Sequence, residues 1–268
     1  MLILFAGDVV AKEGRRALLA ALDDLAAEYD IDLVVVNGEN AAGGFWITRD
    51  IADEFFGRGV DVITTGNHVW DKKEALEFID DEPRLLRPGN YPPGTPGRGV
   101  FVATARNGER VAVLNSMGRV FMHPDLDCPF RWVDDALASL GADVKVVLVD
   151  FHAEASSEKT AMGWYLDGRV AAVVGTHTHV PTADERILTN GTAFISDVGM
   201  TGCYNSIIGM KTEGSLGRFL NKLPQRMEPA DGPATCCAVL IDVDETSGRA
   251  RGIRRIQRGE AFAAGTVN

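Results

Sequence analysis

Apolar runs alternating with helical patterns fill the first part of the chain and constrain its fold more than any other feature. Ile31–Val36 is continuous and rich in β-branched residues, which is typical of a strand covered on both faces. Lys12–Glu28 repeats Leu and Ala at helical spacing. After Val174 the pattern changes to short strands joined by turns. We therefore predict an α/β fold in which two sheets pack together with helices outside.

Turn residues and helix-end signals divide this pattern into separate elements. The predicted strands are Leu2–Ala6, Ile31–Val36, Val60–Thr64, Val100–Ala105, Arg110–Leu114, Val144–Asp150, Val170–Val174, Arg186–Leu188, Thr192–Ile195, Ala238–Val243 and Gly252–Gln257. The predicted helices are Lys12–Glu28, Thr48–Arg58, Asp71–Asp80, Phe130–Leu140, Glu158–Leu166 and Ser215–Leu220. Because no linker, repeat or low-complexity segment interrupts the pattern, residues 1–268 are expected to form a single domain.

The formal net charge of −11 limits the kinds of ligand that the chain can bind. Binding a long nucleic acid needs a basic surface, so no long nucleic acid is expected as a partner. A small anionic substrate is compatible with this charge, because metal ions can reverse the field inside one cleft. The N-terminal segment MLILFAGDVV lacks the parts of a signal peptide, and no apolar run reaches the ~20 residues that span a membrane. We expect a cytoplasmic protein without a membrane partner.

The cysteines do not form a recognisable metal or redox motif. There are four of them, without a C-x-x-C pair: Cys128, Cys203, Cys236 and Cys237. Free, buried thiols are the expected state, in preference to metal ligands or a redox pair.

Potential metal ligands follow five of the predicted strands. Ligands of α/β sheets bind at the carboxyl ends of strands, so strand ends that are distant in sequence can converge on one cleft. Four of the five histidines lie in these segments, and only His123 lies elsewhere. The candidate ligands at the strand ends are Asp8, Glu39, Asn67, His152, His177 and His179. Any one of them alone could be a turn former or an N-cap, and it is their joint placement that predicts a site.

The residue types in these segments indicate which ions would suit the site. Imidazole, carboxylate and amide oxygen suit Mn, Fe or Zn. One acidic side chain that bridges two ions holds them about 3.5–4 Å apart. In an extended backbone His177 and His179 would point the same way and serve neighbouring ions. Gly66, before Asn67 and His68, permits a close approach of the backbone. Two metal ions, with Fe or Mn favoured and Zn as an alternative, are therefore expected.

The order GD, GEN, GNH, a lone His and GTHTHVP resembles the calcineurin-like metallophosphoesterases from Gly7 to about Gly209. The resemblance implies a four-layer α/β/β/α sandwich of two mixed sheets flanked by helices. The opening block GDVV lacks the usual His, and Glu39-Asn40 stands where that superfamily usually has Asp. These departures, with DVGMTGCYNSIIGM at Asp197–Met210, are similar to the bacterial 2′,3′-cyclic-nucleotide 2′-phosphodiesterase branch. Cys203 replaces a Pro expected in that segment.

The resemblance also implies a role for each site residue. Asp8 and His179 would bind the first ion, with Asn40 in place of the missing His. Glu39 would bridge the two ions. The second ion would be bound by a set of three side chains: Asn67, His152 and His177. His68 would stay off the metals and act as the general acid, since an imidazole titrates near pH 6.5.

The implied reaction is the hydrolysis of a 2′,3′-cyclic nucleotide by a hydroxide that bridges the metals. A broad phosphomonoesterase or protein phosphatase would use the same ligands and stays open as an alternative. A non-enzymatic, metal-bound regulatory protein is a third reading, although a structural site needs no general acid such as His68.

The sequence allows two roles for each of several features near these segments. Core or rim packing is the favoured role of the nearby aromatic residues, with stacking on a base as the alternative: Phe45, Trp46, Trp70 and Phe121. Arg119 and Arg131 can contact phosphate or remain as surface charges. The predicted hairpin Val100–Leu114 can form a contact in a homo-oligomer or stay solvated. The expected partner is a small nucleotide or other phosphate ester.

Overall fold

The computed structural model describes residues 1–259, whose strands form two mixed sheets. The first sheet contains β1 (Leu2–Ala6), β2 (Leu33–Asn37), β3 (Val62–Thr64), β10 (Cys236–Asp244) and β11 (Arg249–Arg258). The second contains β4 (Val100–Thr104), β5 (Arg110–Met117), β6 (Val146–His152), β7 (Ala172–Thr176), β8 (Arg186–Ile187) and β9 (Ala193–Ile195). The helices are α1 (Ala11–Glu28), α2 (Arg49–Gly57), α3 (Ala75–Phe78), α4 (Pro129–Ser139), α5 (Ser156–Tyr165) and α6 (Thr212–Asn221).

Parallel strands form one side of the first sheet and the centre of the second, and antiparallel strands complete both sheets. The first sheet has the order β11-β10-β1-β2-β3, in which β1, β2 and β3 are parallel. The second has the order β4-β5-β6-β7-β9-β8, in which β5, β6, β7 and β9 are parallel. Parallel strands need long crossover connections, which helices such as α1 and α5 supply. The carboxyl ends of the parallel strands in each sheet therefore share one edge.

Three buried apolar clusters correspond to the three contacts between four layers. Alternate residues of β1 face opposite ways, so Leu4 packs with α1 residues such as Leu18, whereas Phe5 faces the second sheet. Between the sheets, Phe5 belongs to the same cluster as Leu148 of β6. Behind the second sheet, the next residue, Val149, packs with residues of α4 and α5. This arrangement of two mixed sheets flanked by helices confirms the predicted fold.

The predicted strands and helices all coincide with observed elements, and the main error concerns one helix. Residues Asp71–Asp80 were expected to be helical, but only the four residues of α3 are. Most backbone bonds in this stretch span three residues, such as Asp71 N–H to His68 carbonyl (3.0 Å) and Leu76 N–H to Lys73 carbonyl (3.0 Å). Successive tight turns thus replace a regular α-helix. The predicted N-cap of α2 is confirmed, because Thr48 accepts a hydrogen bond from the Ile51 N–H (3.4 Å).

The expectations for isolated side chains are confirmed in part. All four cysteines are free, but Cys128 is half-buried rather than buried. Trp46 is fully buried, whereas Phe121 is 85% exposed, so packing is the wrong expectation for Phe121. Both Arg119 and Arg131 are exposed. Within residues 1–259, every helix is too short or too polar to cross a membrane.

The contact between the sheets predicts where a core substitution is most harmful. Leu148 is fully buried there, so Leu148→Ala is expected to lower the free energy of unfolding by about 2–5 kcal/mol. Leu220→Ala is the matched control, since Leu220 is 78% exposed and its loss is expected to cost below about 0.5 kcal/mol. Urea titration followed by circular dichroism measures both. Equal losses for the two variants would contradict this account of the core.

Candidate metal centre

Strand ends from both sheets bring the predicted ligands together. Asp8 follows β1, Glu39 follows β2 and Asn67 follows β3, all in the first sheet. In the second sheet His152 is the last residue of β6, and His177 directly follows β7. The convergence therefore needs both sheets, and it depends on the packing between them.

Three buried side chains form the centre of this cluster. Asp8, Glu39 and His152 each offer a ligand atom, and these atoms all lie within 4.8 Å of one another. The Nε2 of His152 lies 2.7 Å from Oε2 of Glu39, and its Nδ1 lies 3.9 Å from Oδ1 of Asp8. The three residues are at most 1% exposed. Two carboxylates and an imidazole in one buried place make a typical set of metal ligands.

Gly66 lets this cluster form, as the sequence predicted. A Cβ at Gly66 would overlap Nε2 and Cδ2 of His152 and would lie 2.5 Å from Oε2 of Glu39. The backbone before Asn67 therefore passes directly against two of the candidate ligands, which no larger residue permits.

Asn67 and His177 join the same cluster through His152. The Oδ1 of Asn67 lies 3.0 Å from Nε2 of His152, and Nδ1 of His177 lies 3.1 Å from that same nitrogen. The backbone N–H of His177 also donates to Oδ2 of Asp8 (3.2 Å). The other four side chains thus all lie within 3.9 Å of His152, at the strand ends where the sequence placed them.

Asn40 and His179 border the same cleft, and the hydrogen bonds of their side chains go to backbone carbonyls rather than to the three central side chains. Nδ2 of Asn40 donates to the Gly44 carbonyl (3.0 Å), and Nδ1 of His179 pairs with the Ile208 carbonyl (2.9 Å). This bond at Nδ1 leaves Nε2 of His179 as the nitrogen available to a ligand. Both residues line the cleft that also contains Glu39 and His177.

Two buried oxygen atoms in the site have no hydrogen-bond partner among the described residues. They are Oδ1 of Asp8 and Oδ1 of Asn40, each of which is fully shielded from solvent. A buried oxygen without a partner is unfavourable by about 1–3 kcal/mol, whereas metal coordination would satisfy it. The residues that are present therefore fit a bound cation.

The segment around His177 and His179 is not extended, so the condition under which the two side chains would point the same way is not met. His177 has a φ of 99° and His179 a φ of 65°, both in the left-handed region that L residues rarely adopt. Such conformations cost about 1–3 kcal/mol each and persist only where surrounding contacts fix them. Thr178, between them, is fixed by Asp197, whose Oδ2 accepts from its N–H (3.1 Å) and its hydroxyl (2.7 Å). The same oxygen pairs with the buried Lys159 (2.6 Å).

Glu39 and His152 form a buried ion pair at the centre of the cluster. Burial raises the pKa of Glu39, but the charge and hydrogen bond of His152 outweigh burial and bring it down to about 2. Burial lowers the pKa of His152, yet Glu39 and Asp8 more than offset this and raise it to about 9. The pKa of Asp8 is raised, chiefly by burial. Burial, followed by the charge of His152, lowers the pKa of His177 to about 3. A cation that binds Nε2 of His152 would displace its proton.

Three residues behind the ligands were missed by the sequence analysis. Asp150 accepts hydrogen bonds from the Thr176 hydroxyl (2.7 Å) and from Nδ2 of Asn37 (3.0 Å). Because the Thr176 hydroxyl donates to Asp150, its oxygen accepts from Nδ1 of His152 (2.9 Å). This chain orients His152 with Nε2 toward Glu39. The alternation of strand residues was the available signal, since Asp150 and His152 share one face of β6.

His68 lies beside the cluster rather than inside it. Its backbone N–H donates to Oε1 of Glu39 (2.5 Å), but its side chain turns away, and Nδ1 lies 2.7 Å from Oδ2 of Asp71. The ring of Phe45 meets the imidazole edge-on, with centroids 5.2 Å apart. Asp71, another residue that the sequence analysis missed, thus orients the imidazole from the next turn.

An open cleft of about 810 Å³ lies beside the cluster. Its lining includes Glu39, Asn40, His68, His177 and His179. This volume lies within the range of about 300–1,000 Å³ that is typical of sites for small molecules. The arrangement can therefore admit a small substrate beside the candidate metal ligands.

Comparison with known proteins shows which class of protein this fold and cluster define. The chain is 49% identical over 256 residues to the 2′,3′-cyclic-nucleotide 2′-phosphodiesterase of Bacillus subtilis (strain 168), covering 96% of each chain. It superposes with a TM-score of 0.90 on a novel phosphatase from Mycoplasma pneumoniae, at 32% identity, over 97% of this chain and 93% of the other. A hypothetical protein from Thermus thermophilus also gives a TM-score of 0.90, at 45% identity, over 97% and 100%.

The family model of the YmdB-like proteins matches residues 4–256. The chain therefore belongs to the YmdB-like protein family. The resemblance to metallophosphoesterases that the strand-end motifs predicted is confirmed at the level of family and fold.

The close approach at Gly66 predicts a substitution that damages the cluster selectively. Gly66→Ala is expected to push His152 and Glu39 apart and to lower the affinity for Mn²⁺ by at least about 10-fold. Gly57→Ala is the matched control, because a Cβ there meets nothing within 4 Å. Calorimetric titration with Mn²⁺ measures affinity, and the thermal midpoint checks the fold. A Gly66→Ala protein with undiminished affinity would refute the role of this approach.

Proposed function

We propose that this protein is a metal-dependent phosphodiesterase that hydrolyses 2′,3′-cyclic nucleotides. The observation that carries the proposal is the buried cluster of Asp8, Glu39 and His152, whose Glu39 lines an open cleft together with His68. The 49% identical relative from Bacillus subtilis, whose name states this activity, supports the choice of substrate.

In this proposal seven side chains would hold two metal ions. Glu39 would be a ligand to both. Asp8, Asn40 and His179 would hold one ion, which the unpartnered Oδ1 atoms of Asp8 and Asn40 support. Asn67, His152 and His177, whose side chains meet at Nε2 of His152, would hold the other. Imidazole, carboxylate and amide ligands suit Fe or Mn, with Zn as the alternative. When bound, such ions lower the pKa of a water molecule and neutralise charge on phosphoryl oxygens.

The chemical step exchanges one phosphorus–oxygen bond for another. The oxygen of a water molecule bonds to phosphorus while the bond from phosphorus to O2′ breaks, and the water releases a proton to solvent. O2′ takes a proton from His68 and becomes a hydroxyl, so the product is a 3′-phosphomonoester. Asp71 accepts at Nδ1 of His68, which leaves Nε2 as the nitrogen that delivers the proton.

A substrate panel with metal-loaded protein tests the proposed function. It contains 2′,3′-cyclic AMP, 3′,5′-cyclic AMP, bis-p-nitrophenyl phosphate and p-nitrophenyl phosphate, each assayed with added Mn²⁺. The expected result is the highest kcat/KM for the 2′,3′-cyclic nucleotide, with 3′-AMP as its product. A preference for the monoester would indicate a broad phosphatase, and no turnover of any substrate would indicate a non-enzymatic regulator.

Separate substitutions distinguish the proton donor from the metal ligands. His68→Ala is expected to lower kcat by about 10²–10⁴-fold while two metal ions remain bound, because a general acid contributes a factor of this size. Glu39→Ala is the contrasting variant and is expected to lose bound metal, since it removes the bridge. Elemental analysis and steady-state kinetics measure both. Loss of metal from His68→Ala would make His68 a ligand and overturn its assignment.

A further inference from the structure

Two basic side chains stand on the wall of the cleft that α6 contributes. Arg218 lies in the last turn of α6, and Lys222 is its C-cap residue, one turn further on. Both line the same cleft as Glu39 and His177. The lining of one cleft therefore contains both cations.

Neither cation has an ionic partner within residues 1–259. The guanidinium of Arg218 and the ammonium of Lys222 make no ion pair and no hydrogen bond there, whereas Lys211 and Arg226 of the neighbouring segment both pair with Glu228. Among the residues that line the cleft, Arg218 and Lys222 are the lysine and arginine side chains. In a chain of net charge −11, two unpaired cations concentrated on one cleft wall form a local site for an anion.

Helix stability explains only part of this placement. Cations at a helix C-terminus interact favourably with the helix dipole, by about 0.3–1 kcal/mol each. Lys222, however, has a φ of 57°, and a left-handed C-cap ordinarily selects Gly or Asn. Lys222 thus has a long cationic side chain at a position where its backbone conformation is unfavourable.

A cyclic mononucleotide without another phosphate carries one negative charge, which lies on the cyclic phosphate. In the proposed reaction the metal centre beside the cleft would hold that phosphate. The cations on α6 are outside the buried cluster and would have no anion to bind in such a complex. The 5′ carbon is the remaining position of the same ribose at which a nucleotide carries phosphate.

We propose that Arg218 and Lys222 bind a second phosphate of the substrate, attached at the 5′ carbon of the ribose that carries the cyclic phosphate; this inference rests on the proposed function. The second phosphate belongs either to a 5′-phosphorylated mononucleotide or to the 3′ end of an oligoribonucleotide. Two cations match the single additional phosphate that both sources share, through charge-assisted hydrogen bonds.

A matched pair of substrates isolates the second phosphate. The pair is adenosine 2′,3′-cyclic phosphate with and without a 5′-phosphate, assayed on metal-loaded protein. We expect kcat/KM to be about 10–100-fold higher with the 5′-phosphate, the factor typical of hydrogen bonds between charged groups. A dinucleotide with a 2′,3′-cyclic phosphate end is the third substrate. If kcat/KM rises equally for the dinucleotide, RNA ends are the source of the second phosphate. If kcat/KM rises only for the mononucleotide with a terminal 5′-phosphate, mononucleotides are the source.

Substitution of the cations tests whether they cause the gain. The double variant Arg218→Gln with Lys222→Gln is expected to bring the ratio of the two kcat/KM values below about 3, since two charged partners are removed. Arg226→Gln is the matched control, because Arg226 is 88% exposed, pairs with Glu228 and does not line the cleft. The thermal midpoint and metal content check that each variant is folded and loaded.

Equilibrium binding gives a readout that does not depend on turnover. Calorimetry compares adenosine 3′,5′-bisphosphate with adenosine 3′-phosphate. The bisphosphate is expected to bind about 10–100-fold more tightly to the unsubstituted protein, but not to the double variant. Equal kcat/KM and equal affinity for both members of each pair would overturn this inference and leave the proposed function intact. Retention of the gain in the double variant would also overturn it. Hydrolysis of neither cyclic substrate would instead refute the proposed function, and this inference with it.

Discussion

Burial of three carboxylates at one place is the constraint on which the rest of the structure depends. Asp8, Glu39 and Asp150 are all within 1% of full burial, where a charge without a partner is strongly unfavourable. His152 compensates them in part, through Glu39 directly and through Thr176 toward Asp150. Because these groups come from both sheets, the sheets must pack in one register for the charges to meet. One oxygen of Asp8 has no hydrogen-bond partner among residues 1–259, so this compensation leaves it unsatisfied.

The fold was predictable wherever hydrophobic periodicity dominates. β2 begins with a continuous apolar run at residues 33–36, and β6 with one at 146–149. Both strands lie between two layers, as that pattern predicts. The stretch that ends with α3 was misjudged because its composition suits a helix while its contacts impose turns. There the His68 N–H is committed to Glu39, and the side chain of Asp71 to His68, so the backbone follows the site rather than its propensity.

The positions of the site residues were more predictable than their conformations. Strand ends located Asp8, Glu39 and His152 correctly, since topology alone brings the carboxyl ends of parallel strands to one edge. The left-handed backbone of His177 was not predictable, because the contacts that hold this segment come from Asp197, in a separate segment beyond β9. Asp150 was missed for a different reason, as a single acid inside an apolar strand looks like a turn signal until its partners are known.

The negative charge of the whole molecule and the cations of the cleft act over different distances. At physiological ionic strength charges are screened beyond about 8 Å, so a ligand held within the cleft responds mainly to the groups that line it. A long nucleic acid would extend past α6 and meet a surface of net negative charge, which opposes its binding. Under the proposed function, a substrate with one or two phosphates would lie inside the cleft, whose lining includes Glu39, Arg218 and Lys222. This charge distribution would then favour short anions over long ones, so that charge would select substrate length as well as substrate sign.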